Sequence, residues 1–338
     1  MKSSDVRCVN AAATHDDRGN ATVTAPFFVV GFQRSGTTLL RVMLDSHPDL
    51  VVPLDTVGLW ADYEDRLPQF GNLATDADVN RMVDAILKEE RILLWETPLT
   101  RDQVLAQRRL PGFAGIIDAF MQSYAVSRGK RRWGDKDPGN MRRIDRLHRW
   151  FPDCKIIHIV RDGRDACISQ AEQSFGIQDL FDCATAWIDQ IEWVRQIGVI
   201  LGPDRYFELR YEDLVTDAEP LLQRLCEFLS VPWSPAMLEY YKNVRTTVPD
   251  SKRYIWPLLD KPPVKDQAGR WKRTLSEGQR VGFEKRAWET LRTMGYETLP
   301  TRPSGAYTTE IAALARKAAD AVRARLFRKS TANGNNSR

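Results

Sequence analysis

Four apolar residues, Phe27-Phe28-Val29-Val30, lead into Gly31-Phe32-Gln33-Arg34-Ser35-Gly36-Thr37-Thr38 and on into Leu39, Leu40, Met43 and Leu44 at helical spacing. A run with no place for a solvent-facing polar residue predicts a parallel strand buried on both faces. The apolar stripe after it predicts a helix packed behind that strand. A strand that turns between two glycines into a helix start gathers backbone N–H groups in one concavity, where unpaired amides and the helix dipole favour an anion. The spacing Gly31-x-x-x-x-Gly36 is that of a Walker A loop, with Thr37 in place of its lysine. The phosphate cradle is kept, while the cation that spreads over the β- and γ-phosphates of ATP is missing. Arg34 and the hydroxyls of Ser35, Thr37 and Thr38 remain. That set suits a nucleotide with a single 5′-phosphate bearing one further group. A plain strand, turn and helix with a capping hydroxyl is the structural alternative, and the coincidence of all these signals favours the anion site.

The rest of the chain supplies further strand ends. Leu50-Val51-Val52 predicts a second short strand, after which Asp55 sits just past a strand end, where ligands collect in open α/β sheets. From Gly58 to Arg132 the pattern is helical, with Thr100 to Gln103 as a capping box; Trp60, Tyr63, Trp95 and Phe113 there fit core packing better than a pocket lining. Arg131 to Asn140, which contains Lys136, reads as a dense turn. Lys155 to Val160 predicts another central strand, ending in Arg161; the helix after it carries Ser169, and an Arg and a hydroxyl so placed can bind a second phosphate. Phe207 to Leu214 reads as a third strand leading into a turn, and Thr216 to Glu219 and Ser276 to Gln279 as helix caps. Residues 1–24 predict a flexible arm, 25–300 the main domain, and 301–338 a basic helical extension with a polar tail. Its apolar residues, mostly Ala, suit docking on the chain's own body or on a second subunit, which allows a homodimer.

Arg34-Ser35-Gly36-Thr37-Thr38 and its continuation to His47-Pro48 resemble the 5′-phosphosulfate-binding loop of sulfotransferases that use 3′-phosphoadenosine 5′-phosphosulfate (PAPS), most closely the tyrosylprotein sulfotransferases and their bacterial relatives. Lys155 to Ser169 resembles that family's 3′-phosphate-binding segment, and two such motifs in the right order are far more specific than either alone. Arg210 to Leu214 and Gly269-Arg270-Trp271 are further landmarks, so the resemblance covers about residues 26 to 296. It implies an α/β, P-loop-like sulfotransferase fold: a central parallel sheet flanked by helices, with a helical insertion. It also implies that Arg161 and Ser169 hold the 3′-phosphate, that Arg34 and the loop amides clamp the 5′-phosphosulfate, and that Tyr211 contacts the nucleotide. Lys136, in Lys136-Asp137-Pro138, matches a lysine that bridges to the leaving oxygen. Asp55 falls where the family carries a catalytic Glu, and is one methylene shorter. Gln173 stands where relatives have a further phosphate-binding Arg. Ser251, Lys252 and Lys261 lie in the segment that closes over the nucleotide in relatives.

The reaction implied moves a sulfo group to a hydroxyl or amine acceptor, with no metal, since its cations are side chains. The four histidines are poor candidates for the base: His15 is in the arm, His47 ends the first helix, His148 is on a surface-type helix and His158 is inside a strand. A P-loop small-molecule kinase and a non-catalytic nucleotide-binding protein are the alternatives; Thr37 in the Walker lysine position speaks against the first, and the intact set Arg34, Lys136, Arg161 and Ser169 against the second. Bulk properties agree with an enzyme. A hydrophobic content of 43% with 28% charged residues is ordinary for a globular chain, and a net charge of +4 makes no case for nucleic acid. Five cysteines without a C-x-x-C pair indicate neither a zinc site nor a disulfide framework. No run approaches the ~20 apolar residues of a membrane span, and the first residues lack a signal-peptide core, so the expected location is cytoplasmic.

Overall fold

The computed structural model describes residues 25–54, 56–95, 97–174, 176–242, 248, 256 and 258–303. The expected arm, Asp55, Ser251, Lys252 and the basic extension beyond residue 303 lie outside them. Five strands, β1 (Phe27–Val30), β2 (Leu50–Val51), β3 (Arg132–Lys136), β4 (Lys155–Val160) and β5 (Tyr206–Arg210), form one sheet in the order β2-β3-β1-β4-β5. Every pairing is parallel. β1 is central and its four residues are buried. Phe27 and Val29 join an apolar cluster with Leu40 and Met43, whereas Phe28 and Val30 join a second cluster with Trp133 and Phe151. The continuous apolar run thus serves two cores, one on each face of the sheet, as a doubly covered parallel strand must.

The first core is closed by α1 (Thr37–Asp45), which follows β1 directly. Between β2 and β3 comes the helical insertion: α2 (Leu59–Asp65), α3 (Asp76–Ile86), α4 (Glu90–Leu93), α5 (Arg101–Ala106) and α6 (Gly112–Ser127). Thr100 and Gln103 make the predicted capping box at α5. Trp60, Tyr63, Trp95 and Phe113 are all buried in the second core. After β3 come α7 (Ile144–Trp150), then α8 (Gly163–Ala171) and α9 (Leu180–Leu201) beyond β4. α10 (Tyr211–Thr216) and α11 (Ala218–Leu229) follow β5, and α12 (Trp271–Thr274) and α13 (Glu277–Thr293) end the described chain, the latter with the predicted Ser276–Gln279 capping box.

Three local readings change. The dense turn around Lys136 is in fact strand β3, whose five residues are all buried. Its polar side chains find partners inside: Arg132 donates to the carbonyl of Leu229, and Trp133 Nε1 donates to Asp118 at 2.9 Å. Gly134 lets the Phe27 ring lie flat against the strand, since a Cβ there would run into it. The third strand ends at Arg210, and Tyr211 already begins α10. Thr216 is the last residue of α10 rather than a cap of α11; its hydroxyl donates to the Glu212 carbonyl at 2.8 Å, closing the turn behind it.

Candidate active site

The loop from β1 to α1 has the shape its sequence predicts. Ser35 N–H donates to the Phe32 carbonyl at 3.0 Å, closing a tight turn, and Gly36 adopts φ +89°. A side chain at Gly36 would also collide with the Tyr211 ring, so this position needs glycine for both its backbone and its neighbour. Arg34 is in the left-handed region at φ +67°, a conformation that costs a non-glycine residue on the order of 1–3 kcal/mol and that clusters at ligand clamps. No side chain caps the first turn of α1. Thr37, Thr38 and Leu39 of that turn line the same hollow as Arg34.

Arg161, at the C-terminal end of β4, is the centre of the contacts on that side. Its guanidinium donates through Nη1 to the Arg34 carbonyl at 2.8 Å and through Nη2 to the Gln267 carbonyl at 2.6 Å, and lies 4.6 Å from the Tyr211 ring centroid. Arg34 Nε donates to Ser169 Oγ at 3.2 Å, so residues from both phosphate motifs are in direct contact. Burial, and then the neighbouring Arg161, hold the Arg34 guanidinium below its ordinary pKa. Two guanidinium groups this close are an unfavourable pair until an anion joins them. Ser35 Oγ and Arg161 Nε are buried without a hydrogen-bond partner among the described residues. Asp165 fastens the far wall by accepting Gly269 N–H and Trp271 N–H, each at 2.7 Å.

These elements enclose a cavity of about 230 Å³ lined by Arg34, Gly36, Thr37, Thr38, Arg161, Ser169 and Tyr211 among the anticipated residues. Trp256, Leu258, Pro263 and Val264 give it an apolar wall, Arg270 of the Gly269-Arg270-Trp271 landmark lines it, and Glu172 and Gln267 add polar groups that sequence reasoning missed. Glu172 could have been found, since it lies three residues after Ser169, on the same side at the end of α8. It pairs with Arg270 in a bidentate contact, which pulls its carboxyl below the ordinary range. Lys261 is exposed and does not line the cavity; its carbonyl accepts the Tyr240 hydroxyl at 2.7 Å.

Lys136 is elsewhere, at the end of β3 and on the opposite side of β1 from Arg161, opposite Val29 in register. It is buried, and so are its neighbours Asp135 and Asp137. Asp135 accepts the Thr56 hydroxyl and, at 2.9 Å, the Asn140 side-chain amide. Burial, and then Asp137, push its carboxyl up to about 7. The chain leading to Asp55 is held as well. Arg41 Nη1 donates to the Val52 carbonyl and Val52 N–H to Asp45, both at 2.9 Å, and Trp95 Nε1 donates to the Leu54 carbonyl at 3.0 Å. Among the histidines, His47 uses both ring nitrogens on backbone groups and His158 is enclosed beneath α9 with Tyr206 and Glu208.

A parallel sheet whose central loop and adjacent strand end converge on one cationic hollow defines an α/β protein of P-loop-like architecture. The chain belongs to the sulfotransferase family, whose family model matches residues 26–235. It is similar to protein-tyrosine sulfotransferase A of Caenorhabditis elegans, 26% identical over 86% of this chain and 72% of that protein. It is also similar to human protein-tyrosine sulfotransferase 1, 30% identical over 64% of this chain; there it spans about half of the relative's length, 54%. Among solved structures it resembles the sulfotransferase domain of the Synechococcus PCC 7002 olefin synthase, at a TM-score of 0.57 and 25% identity, covering 81% of this chain and 95% of that one. The sulfotransferase domain from the curacin biosynthetic pathway shares the fold, at a TM-score of 0.52 and 19% identity, covering 81% of this chain and 99% of that one.

Proposed function

We propose that the protein transfers the sulfo group of PAPS to a hydroxyl acceptor, with an amine as the second acceptor class. The observation that carries this reading is the direct contact of Arg34 with Ser169 and of Arg161 with the Arg34 carbonyl, which joins two anion-binding segments on one cavity. The orphaned Ser35 hydroxyl and the two mutually repelling guanidinium groups fit an anionic nucleotide with phosphates at both ends of its ribose. Arg34, Ser35, Gly36, Thr37 and Thr38 would hold the 5′ end, Arg161 and Ser169 the 3′-phosphate, and Tyr211 the nucleotide body against the apolar wall.

The nucleotide supplies an activated sulfo group: its bond to the 5′-phosphate oxygen breaks as a bond to the acceptor oxygen forms. Arg34 and Lys136 balance the negative charge left on the phosphate. Asp55 takes the acceptor proton, acting as general base. The relatives named for protein tyrosine make a phenolic hydroxyl the first acceptor to try.

The desulfated product, 3′-phosphoadenosine 5′-phosphate, is expected to raise the melting temperature far more than AMP or ATP, because only it fills both phosphate positions. Equal stabilisation by AMP removes the role given to Arg161 and Ser169. Magnesium-dependent ATP hydrolysis would turn the reading to a kinase.

A further inference from the structure

The acceptor side of β1 has an arrangement that the phosphate motifs do not explain. β3 ends in Asp135-Lys136, and Asp137, the next residue, is still extended, at φ −124° and ψ 116°. In extended backbone, residues two apart share a face and the one between them points the other way. The two carboxylates therefore face together, and Lys136 is the residue between them. Both reach the segment that follows Asp55 in the chain. Asp135 takes the Thr56 hydroxyl, and Asp137 takes the Gly58 N–H at 2.9 Å. Their other contacts are local: Asn140 to Asp135 at 2.9 Å, Gly139 N–H to Asp137 at 2.8 Å, and Arg143 3.6 Å from Asp137.

This is an expensive way to fasten a turn. Thr56 is 1% exposed, Asp135 0% and Asp137 3%, so two neighbouring carboxylates are kept out of water where a neutral amide could accept the same hydrogen bonds. Buried groups of this kind that weaken a fold tend to be retained where a site needs fixed geometry. The same loop is also gripped from its outer side, where Arg91 Nη1 donates to the Val57 carbonyl at 3.0 Å. The segment is thus clasped from the strand end and from α4.

We propose that Asp135 and Asp137 are positioning residues for sulfuryl transfer, clamping Thr56 and Gly58 to the strand end that carries Lys136 so that the spacing across the acceptor side is fixed. This rests on the reading of the site as a sulfotransferase. The clamp acts on geometry, not on nucleotide affinity, since none of its residues lines the cavity around Arg34 and Arg161.

The test uses the full chain with PAPS and three acceptor probes, a tyrosine-containing peptide, an alkyl alcohol and an alkyl amine. Thr56→Val keeps the shape and removes the hydroxyl; Thr56→Ser restores it. Thr56→Val is expected to lower kcat by on the order of 10²-fold, the scale of a small misplacement of reacting groups, with the affinity for 3′-phosphoadenosine 5′-phosphate unchanged and Thr56→Ser close to wild type. Combining Thr56→Val with Asp135→Asn is expected to cost less than the product of the single losses, because both cut one contact. A Thr56→Val protein with wild-type kcat overturns the clamp. So does one whose nucleotide affinity falls in step with kcat, which is a general loss of structure. Wild-type protein that binds the nucleotide and transfers no sulfo group to any probe overturns the sulfotransferase reading, and the clamp with it.

Discussion

The two flanks of β1 are built on different principles. Toward β4 and β5, distant segments meet across a hollow: Arg34 reaches Ser169, Arg161 reaches the Gln267 carbonyl, and Ser35 Oγ and Arg161 Nε have no hydrogen-bond partner among the described residues. Toward β3 and β2, Asp135 is enclosed and paired with Thr56 and Asn140, and the helical insertion packs an aromatic core behind them. The first flank is arranged to receive charge from outside. On the second, the buried carboxylates of Asp135 and Asp137 are held by neighbours in the fold.

If that division is right, substitutions on the two flanks should fail in different ways. The largest effect is expected at the acceptor flank. Asp55→Asn should lose turnover on an alkyl hydroxyl acceptor by roughly 10²–10⁴-fold while nucleotide affinity stays intact, as loss of a general base does. A phenolic acceptor, which gives up its proton more readily, should suffer less. Unchanged turnover on both acceptors would remove Asp55 from the mechanism and move the division line toward β3.

The next effect belongs to the nucleotide flank. Arg161→Ala should weaken binding of 3′-phosphoadenosine 5′-phosphate by on the order of 1.5–3 kcal/mol, the cost of a charge-assisted contact, as read by titration calorimetry. Its loss of kcat at saturating nucleotide should be small. A mutant with normal affinity and poor kcat would mean that the two flanks share their labour.

The smallest effect concerns neither flank's chemistry and serves as a control. His158 is buried beneath α9 beside Tyr206, Glu208 and Arg195, and burial lowers its pKa from the ordinary 6.5. In the unfolded chain it takes up a proton as pH falls through that ordinary value, while the folded protein resists. Its contribution to stability is therefore constant above about pH 6.5 and is lost progressively below it. His158→Gln should show a flatter decline of melting temperature between neutral and mildly acidic pH. An identical decline in both proteins would assign the acid sensitivity to other groups.

The flank proposed to hold the nucleotide was largely legible in the sequence, and the architecture of the other flank was not. Phe27 to Val30 and Lys155 to Val160 advertise buried strands because their apolar residues are consecutive, and Gly31, Gly36 and Arg161 fall at fixed offsets from them. β3 hides because Arg132, Asp135 and Lys136 read as a surface turn. Its burial depends on partners such as Leu229, Thr56 and Asp118, which lie far away in the chain. Tyr211 illustrates a smaller failure: an aromatic residue after an alternating stretch looks like continued strand, yet packing against Gly36 and Arg161 places it at a helix start. Gln267 and Trp256 left no signal at all, since the cavity reaches them through a loop whose course no periodicity dictates.

The central position of β1 also bears on how the protein is made. Among the described strands β1 comes first in the chain, but its neighbours are β3 and β4, at Gly134 and Lys155 in register with Phe27. Parallel pairings between such distant segments carry a heavy loop-closure cost and form slowly. A nascent chain therefore holds this wholly apolar strand without its full pairing until β4 has been synthesised, the stage at which aggregation competes with folding. The loop between β1 and α1 cannot acquire its Arg161 and Ser169 contacts before β4 and α8 have emerged, so the hollow between them is incomplete while the growing chain is most exposed to association with its neighbours.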